Sequence, residues 1–401
     1  MKKTCFFLIF LFFFYENPKK EACDKGWSEK EIKKIADSIA KFTFNFYFKL
    51  KDKEENVFFS PFSIASAFLI VYEGARENTK REIENVFGFP EENIRRPNFA
   101  RIFNEINRKD KKYTLYTANA LWIQKNYKIL KEYKETIKKY YISQIENLDF
   151  VKDAEKSRQT INSWVFNKTK GKIKDLIPRG GISYSTKAVI TNAVYFKGNW
   201  FKKFDEKNTR EEDFYITKEN KIKVQMMRME KEMFKYFEDD KLQALEIPYE
   251  GEEIFIVIFL PKLSDINSID EYLNYEKFKE IKEKMKIEEV DIYLPKFKTE
   301  TNYLLKSTLF EMGIKDAFSE INADFSGISG KRDLFISDAY HKAFVEINEE
   351  GTEAAAATGI VMEKTAIRER KIFKVDRPFV FLIYNKKIQS ILFFGRIINP
   401  L

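Results

Sequence analysis

His341 is the only histidine among 401 residues, and that closes off most hydrolytic chemistry. A Ser-His-Asp or Cys-His system would have to be built on it. The two cysteines, Cys5 and Cys23, both lie near the N-terminus, so no internal disulfide and no cysteine-based metal or redox motif is expected. Zinc sites made of two or three histidines are excluded. Gly327-Ile328-Ser329-Gly330-Lys331-Arg332 has the wrong glycine spacing for a phosphate loop, and Arg332 stands where a metal-holding Ser or Thr belongs. Asp and Glu are too abundant, 62 in all, to single out a catalytic pair. The expectation is a protein that is not an enzyme and uses no cofactor or metal. His341 taken alone reads as a hydrogen-bonded core histidine.

The chemistry that remains is that of the backbone. In the run from Glu349 to Glu363, the residues Thr352, Ala354, Ala356, Thr358, Ile360 and Met362 share one face of an extended chain. Every one of them is small or apolar. The other face carries Glu353, Ala355, Ala357, Gly359, Val361 and Glu363. No proline interrupts the run, so every N–H could join a sheet. Yet Ala354 to Ala357 have weak strand propensity. This pattern suits a loop that enters a sheet late; the alternative is an Ala-rich helix.

The elements that must position these residues can be sketched from periodicity. Ser28-Glu29-Lys30-Glu31 is a capping box opening a helix with Ile32, Ile35, Ala36, Ile39 and Phe46 on its apolar face. Ser60-Pro61 starts a second helix, apolar nearly all round and therefore buried. Strands are expected at Tyr113–Gln124, Lys187–Phe196, Lys221–Met227, Met233–Phe237, Leu242–Pro248, Ile254–Leu260, Val290–Phe297, Phe335–Glu346, Val375–Tyr384 and Ser390–Ile397. Further helices are expected at Tyr127–Tyr141, Ser157–Thr169, Ile269–Met285 and Tyr303–Met312. The outcome is α+β, with helices concentrated in the first half.

No linker, repeat or low-complexity block divides the chain, so residues 23–401 read as one domain. Lys2 and Lys3 precede an apolar run, Cys5 to Tyr15, of signal-peptide length. Residues 1–22 are read as a signal peptide, or alternatively a membrane anchor, giving a secreted, extracellular protein. The net charge of +9 comes from interleaved acids and bases, which describes a solvated surface and no nucleic-acid partner.

These segments, in this order, resemble the serpin family from Trp27 to Leu401. The motifs are Asn56-Val57-Phe58-Phe59-Ser60-Pro61-Phe62-Ser63-Ile64, Asn192-Ala193-Val194-Tyr195-Phe196-Lys197-Gly198-Asn199-Trp200, Leu294-Pro295-Lys296-Phe297, Ala323-Asp324-Phe325-Ser326-Gly327, His341-Lys342-Ala343, the run from Gly351 to Thr358, and Arg377-Pro378-Phe379-Val380-Phe381. The resemblance implies a serpin fold: a large central mixed sheet, further sheets, about nine helices and an exposed reactive-centre loop at about 349–374. It implies a monomeric suicide-substrate inhibitor whose cleaved loop inserts into the central sheet and traps the protease. It assigns Glu349, Gly351, Thr352 and Ala354, Ala355, Ala356 and Ala357 to a hinge. Ser60, Ser63, Asn192 and His341 form a shutter under the opening, and Trp200, Lys296 and Glu349 a breach at its mouth, with a Glu349–Lys296 ion pair. Thr352 is small and uncharged, as inhibition requires.

Counted from Glu349, the reactive bond is Thr365–Ala366, with Lys364–Thr365 as the alternative. Thr365 suits subtilisin-like or elastase-like serine proteases; Lys364 would suit trypsin-like or papain-like enzymes. Arg368 and Arg370 are further basic positions. The second function class is a non-inhibitory binding or carrier protein, in which Arg95, Arg96, Arg101, Arg108, Lys109, Lys111 and Lys112 would meet a polyanion.

Overall fold

The computed structural model describes residues 21–50, 55–263, 265–270, 272–352 and 370–401. The leader residues 1–20, the hinge alanines Ala354 to Ala357 and the bond candidates Lys364, Thr365 and Ala366 lie outside the described residues. Ten α-helices occur among those described, against the nine or so expected. In the first half they are α1 (Glu29–Leu50), α2 (Pro61–Tyr72), α3 (Glu77–Phe87), α4 (Glu92–Asn107), α5 (Lys131–Tyr140) and α6 (Ala154–Lys168). Then come α7 (Asn267–Asp270), α8 (Tyr275–Lys284), α9 (Leu305–Met312) and α10 (Ser326–Ser329). No helix among the described residues is long and apolar enough to cross a membrane.

The strands are β1 (Val57–Phe59), β2 (Tyr113–Gln124), β3 (Gln144–Leu148), β4 (Ala188–Asn199), β5 (Arg210–Tyr215), β6 (Lys221–Glu238), β7 (Leu242–Pro248) and β8 (Ile254–Pro261). They continue as β9 (Lys286–Pro295), β10 (Phe297–Leu304), β11 (Ile336–Ile347), β12 (Gly351–Thr352), β13 (Lys371–Lys374), β14 (Phe379–Asn385) and β15 (Ser390–Ile397). One sheet runs β1-β15-β14-β8-β7-β6-β9-β13, with β5 on β6. The central sheet runs β10-β11-β4-β2-β3, with β12 on β4. It is mixed: β11 and β4 run parallel, from Ile336 beside Ala188 to Phe344 beside Tyr195, while β10–β11 and β4–β2 are antiparallel.

Both faces of the central sheet are covered, which is why β4 is apolar along its length. On one face Ile190, Val194 and Phe196 join the main core with α2 and the strands β14 and β15. On the other, Val189, Ala193 and Tyr195 meet Ile161 and Val165 of α6. Helix α2 is buried nearly all round, as its composition requires, and Ser60 caps it by accepting from the Ser63 amide.

Four expectations differ in detail. Lys221–Met227 and Met233–Phe237 are one strand, β6, carrying a bulge between Met229 and Glu232 with Lys231 at φ 59°. The helix expected at Ile269–Met285 is two, the second opening where the Asn274 side chain accepts from the Lys277 amide. Tyr303 and Leu304 end strand β10 instead of starting a helix. Asp376-Arg377-Pro378 separates β13 from β14, since Pro378 has no donor for a ladder. The packed body also takes in Ala22, one residue before the expected boundary. Ala22 is buried, donates its N–H to Asn104 Oδ1 at 2.8 Å and accepts from Asn104 Nδ2 at 2.9 Å.

Candidate functional site

The seam between β11 and β4 is where the hinge meets the sheet. After β11 the chain turns at Asn348 to Gly351, and β12 pairs antiparallel with β4, Gly351 beside Asn199 and Thr352 beside Gly198. Strand β2 already occupies the other edge of Gly198 through Tyr113. The first two hinge residues therefore lie on the β11 side of β4, inside the upper end of the seam. Gly351 is required there: at φ +139° a Cβ would stand 2.2 Å from the Gly198 carbonyl oxygen. Thr352 is 1% exposed, and its hydroxyl lies 2.9 Å from that of Tyr249.

Around this mouth the breach residues come together. Lys296 Nζ is 2.8 Å from Glu349 Oε2, and Thr209 donates to Glu349 Oε1 at 2.8 Å. Burial pushes the Glu349 carboxyl up, but the bonds from Lys296 and Thr209 outweigh it and hold the pKa below the ordinary value. Trp200 donates its indole N–H to the Asn348 carbonyl at 2.9 Å and its amide to the Glu350 carbonyl at 2.9 Å. Its ring stacks on Tyr249 at 4.6 Å. Lys203 pairs with Glu350. Tyr249 and Thr209 were missed from the sequence. Tyr249 stands in the turn after β7, far from any motif, and its role exists only once the sheets pack.

The shutter lies lower in the same seam. His341 on β11 sits beside Asn192 on β4 in the parallel ladder. The Ser60 amide donates to His341 Nε2 at 3.1 Å, so Nε2 is the unprotonated nitrogen. His341 Nδ1–H then donates to Asn192 Oδ1. Asn192 Nδ2 donates to Ser63 Oγ at 2.5 Å and to Asn119 Oδ1, while Ser60 Oγ donates to the Leu392 carbonyl at 2.6 Å. All four expected residues are buried. Asn119 of β2 was missed. Burial drives the His341 pKa down to about 3, so the imidazole is neutral. The His341–Asn192 bond crosses the line along which the sheet would part.

The basic cluster proposed for polyanions is mostly committed elsewhere. Arg95 is buried, and with Arg96 it converges on the Glu73 carboxylate, which also accepts from Tyr141. Arg101 pairs with Asp24 and Glu105, and Arg108 with Glu105, Asp110 and Glu253. Lys111 donates to the Ile106 carbonyl at 2.6 Å. Lys109 and Lys112 are exposed. Arg370 is also held, its guanidinium 3.0 Å from Asp291 Oδ2.

A family model for serpins, serine protease inhibitors, matches residues 37–400. An uncharacterized serpin-like protein of Methanosarcina acetivorans is 40% identical over 368 residues, 91% of this chain and 86% of that one. The leukocyte elastase inhibitor of Xenopus tropicalis is 39% identical over 378 residues, 92% of this chain and all of its own length. Among solved structures, uncleaved ovalbumin superposes with a TM-score of 0.83 at 30% identity, covering 91% of this chain and 100% of that one.

Proposed function

The chain belongs to the serpin family, and we propose that it is an irreversible suicide-substrate inhibitor of serine proteases. One observation carries this reading: Gly351 and Thr352 already pair with β4 inside the seam. Continued in the same register, position 353 falls beside Lys197, 358 beside Asn192 and 362 beside Ala188, the first residue of β4. The sequence fits the places it would take. Ala354, Ala356, Ile360 and Met362 would join Phe196, Val194, Ile190 and Ala188 on the main-core face. Thr358 would bring a hydroxyl to the shutter. On the α6 face Ala355 and Ala357 would lie beside Tyr195 and Ala193, where space is short. The two acidic residues would meet lysines: Glu353 beside Lys197, and Glu363 beside Lys187.

Each ladder bond gained is worth about 1 kcal/mol net. Summed over an inserted strand with its apolar burial, the gain is on the order of 10 kcal/mol. The reactive bond we assign is Thr365–Ala366. The small primary residue favours an elastase-like or subtilisin-like enzyme, and the relative named as an elastase inhibitor supports that choice. The apolar run near the N-terminus suits an export leader. The arginines bound to carboxylates speak against a carrier of polyanions. Incubation with pancreatic elastase and with subtilisin tests the reading. An SDS-stable complex, a small C-terminal fragment beginning at Ala366 and a large rise in Tm after cleavage are expected. No complex and no rise would overturn it.

A further inference from the structure

We propose that the outward face of β6, β9 and β13 is an accessory docking surface for the body of the attacking protease, so that recognition is shared between this face and the side chains around the bond. This deepens the inhibitor reading and rests on it.

Three large apolar side chains stand in water there: Met233 is 49% exposed, and Ile287 and Ile372 are 59% each. Strand pairing puts all three on one face. Met233 lies opposite Glu289, Ile287 opposite Lys235, and Ile372 opposite Asp291. Cross-strand partners share a face, and so do alternate residues of β9. The inward positions, Phe234, Val290, Ile292 and Phe373, are buried. The outward apolar residues are thus a surface feature and not core left uncovered. Methionine adds adaptability to such a contact.

The occupant follows from where the chain re-emerges. Arg370 is fixed to the middle of this face, donating to Asp291 Oδ2 at 3.0 Å with its Nε 3.8 Å from Glu289. Asp291 is in turn held by the Lys231 amide, which the β6 bulge turns toward it at 2.8 Å. Ala366 is four residues upstream of Arg370, a reach of at most about 14 Å. A protease domain of about 220 residues has a radius of gyration of about 17 Å. A body of that size gripping a bond that close is within reach of this face.

The test uses the full chain with the double variant Met233→Glu/Ile287→Glu, and Ile287→Gln as a milder companion should the double variant lose stability. Ile321→Glu, 89% exposed and next to the α3 side of the molecule, is the control. Association rate constants are measured against pancreatic elastase and subtilisin, together with the stoichiometry of inhibition and Tm. The expected result is a fall of about tenfold for the double variant, with stoichiometry and Tm unchanged and the control unaffected. Rate constants within about twofold of the parent, while complexes still form, overturn the docking surface. If the parent forms no complex, the inhibitor reading fails by itself. The surface is then judged by kcat/KM for loop cleavage: a tenfold fall supports it, and no change overturns it.

Discussion

The breach and the shutter hold the same seam by opposite means. At the breach, a carboxylate and an ammonium meet beside water: the Lys296 side chain is 41% exposed, and the tryptophan acts by donating to backbone carbonyls. At the shutter every group is neutral and all but the half-buried Asn119 are buried, and five residues from three strands and the start of a helix satisfy one another. A charged pair near solvent is weak and adjustable. A buried neutral network is costly to leave half-made. On the proposed insertion, a strand would begin to enter at the upper end of the seam and complete its entry at the lower end.

The largest test of this division is Thr352→Arg. Thr352 is buried under Tyr249 at the first step of entry, and an arginine there would have to leave water unpaired. Insertion should stall on the order of a hundredfold, so that the protease cleaves the loop and departs. SDS gels would show cleaved protein without complex. Abundant complex would place the barrier to entry elsewhere. The shutter comes next. Asn192→Ala strips His341 Nδ1–H, Ser63 and Asn119 of a common partner, and should cost about 2–4 kcal/mol of native-state stability, read from urea midpoints. A loss under about 1 kcal/mol would mean that the network is not what closes the seam.

Acid separates the two regions further. His341 has a folded pKa of about 3 against an ordinary 6.5, so the unfolded chain takes up a proton that the native one refuses. Its contribution is complete above pH 6.5 and is lost as pH falls from there toward 3, by about 1.4 kcal/mol per pH unit. Glu349 has the opposite requirement on charge: its pKa is held below 4.5, so its contribution is complete above 4.5 and is lost as pH falls from there through that lowered value. Between pH 6.5 and 4.5 only the shutter should weaken. A His341→Gln variant should be flatter than the parent across that interval when urea midpoints are compared. Parallel curves would remove His341 from the account.

The clustering of the expected residues was legible because they sit in compact local motifs. What escaped was set by distance in sequence or by partners. Asn119 and Tyr249 carry no local signature, and each is recruited by a strand far along the chain. Arg95 was misplaced on the surface although its own helix gave a warning. Arg95, Asn98, Phe99, Ile102 and Ile106 recur at helical spacing along the buried side of α4, and reading that stripe would have turned Arg95 inward toward Glu73. The β6 bulge was hidden by charge: Arg228, Glu230, Lys231 and Glu232 interrupt the apolar pattern between the two expected strands, while the partner strand β9 continues the ladder across them.

The smallest expected effect concerns the ion pair, and its two halves are not equivalent. Glu349 is nearly buried at its side chain, whereas Lys296 is 41% exposed. Removing the lysine leaves a sheltered carboxylate with Thr209 as its remaining side-chain donor; removing the carboxylate leaves a lysine that can turn to water. Lys296→Met should therefore cost more than Glu349→Gln, which keeps an acceptor for Thr209. The coupling between them, from a double-mutant cycle, should be about 0.5–1 kcal/mol once screening at the exposed end is allowed for. It should shrink at high salt. A coupling above about 3 kcal/mol would make the pair behave as buried, and the breach would then hold the seam as firmly as the shutter does.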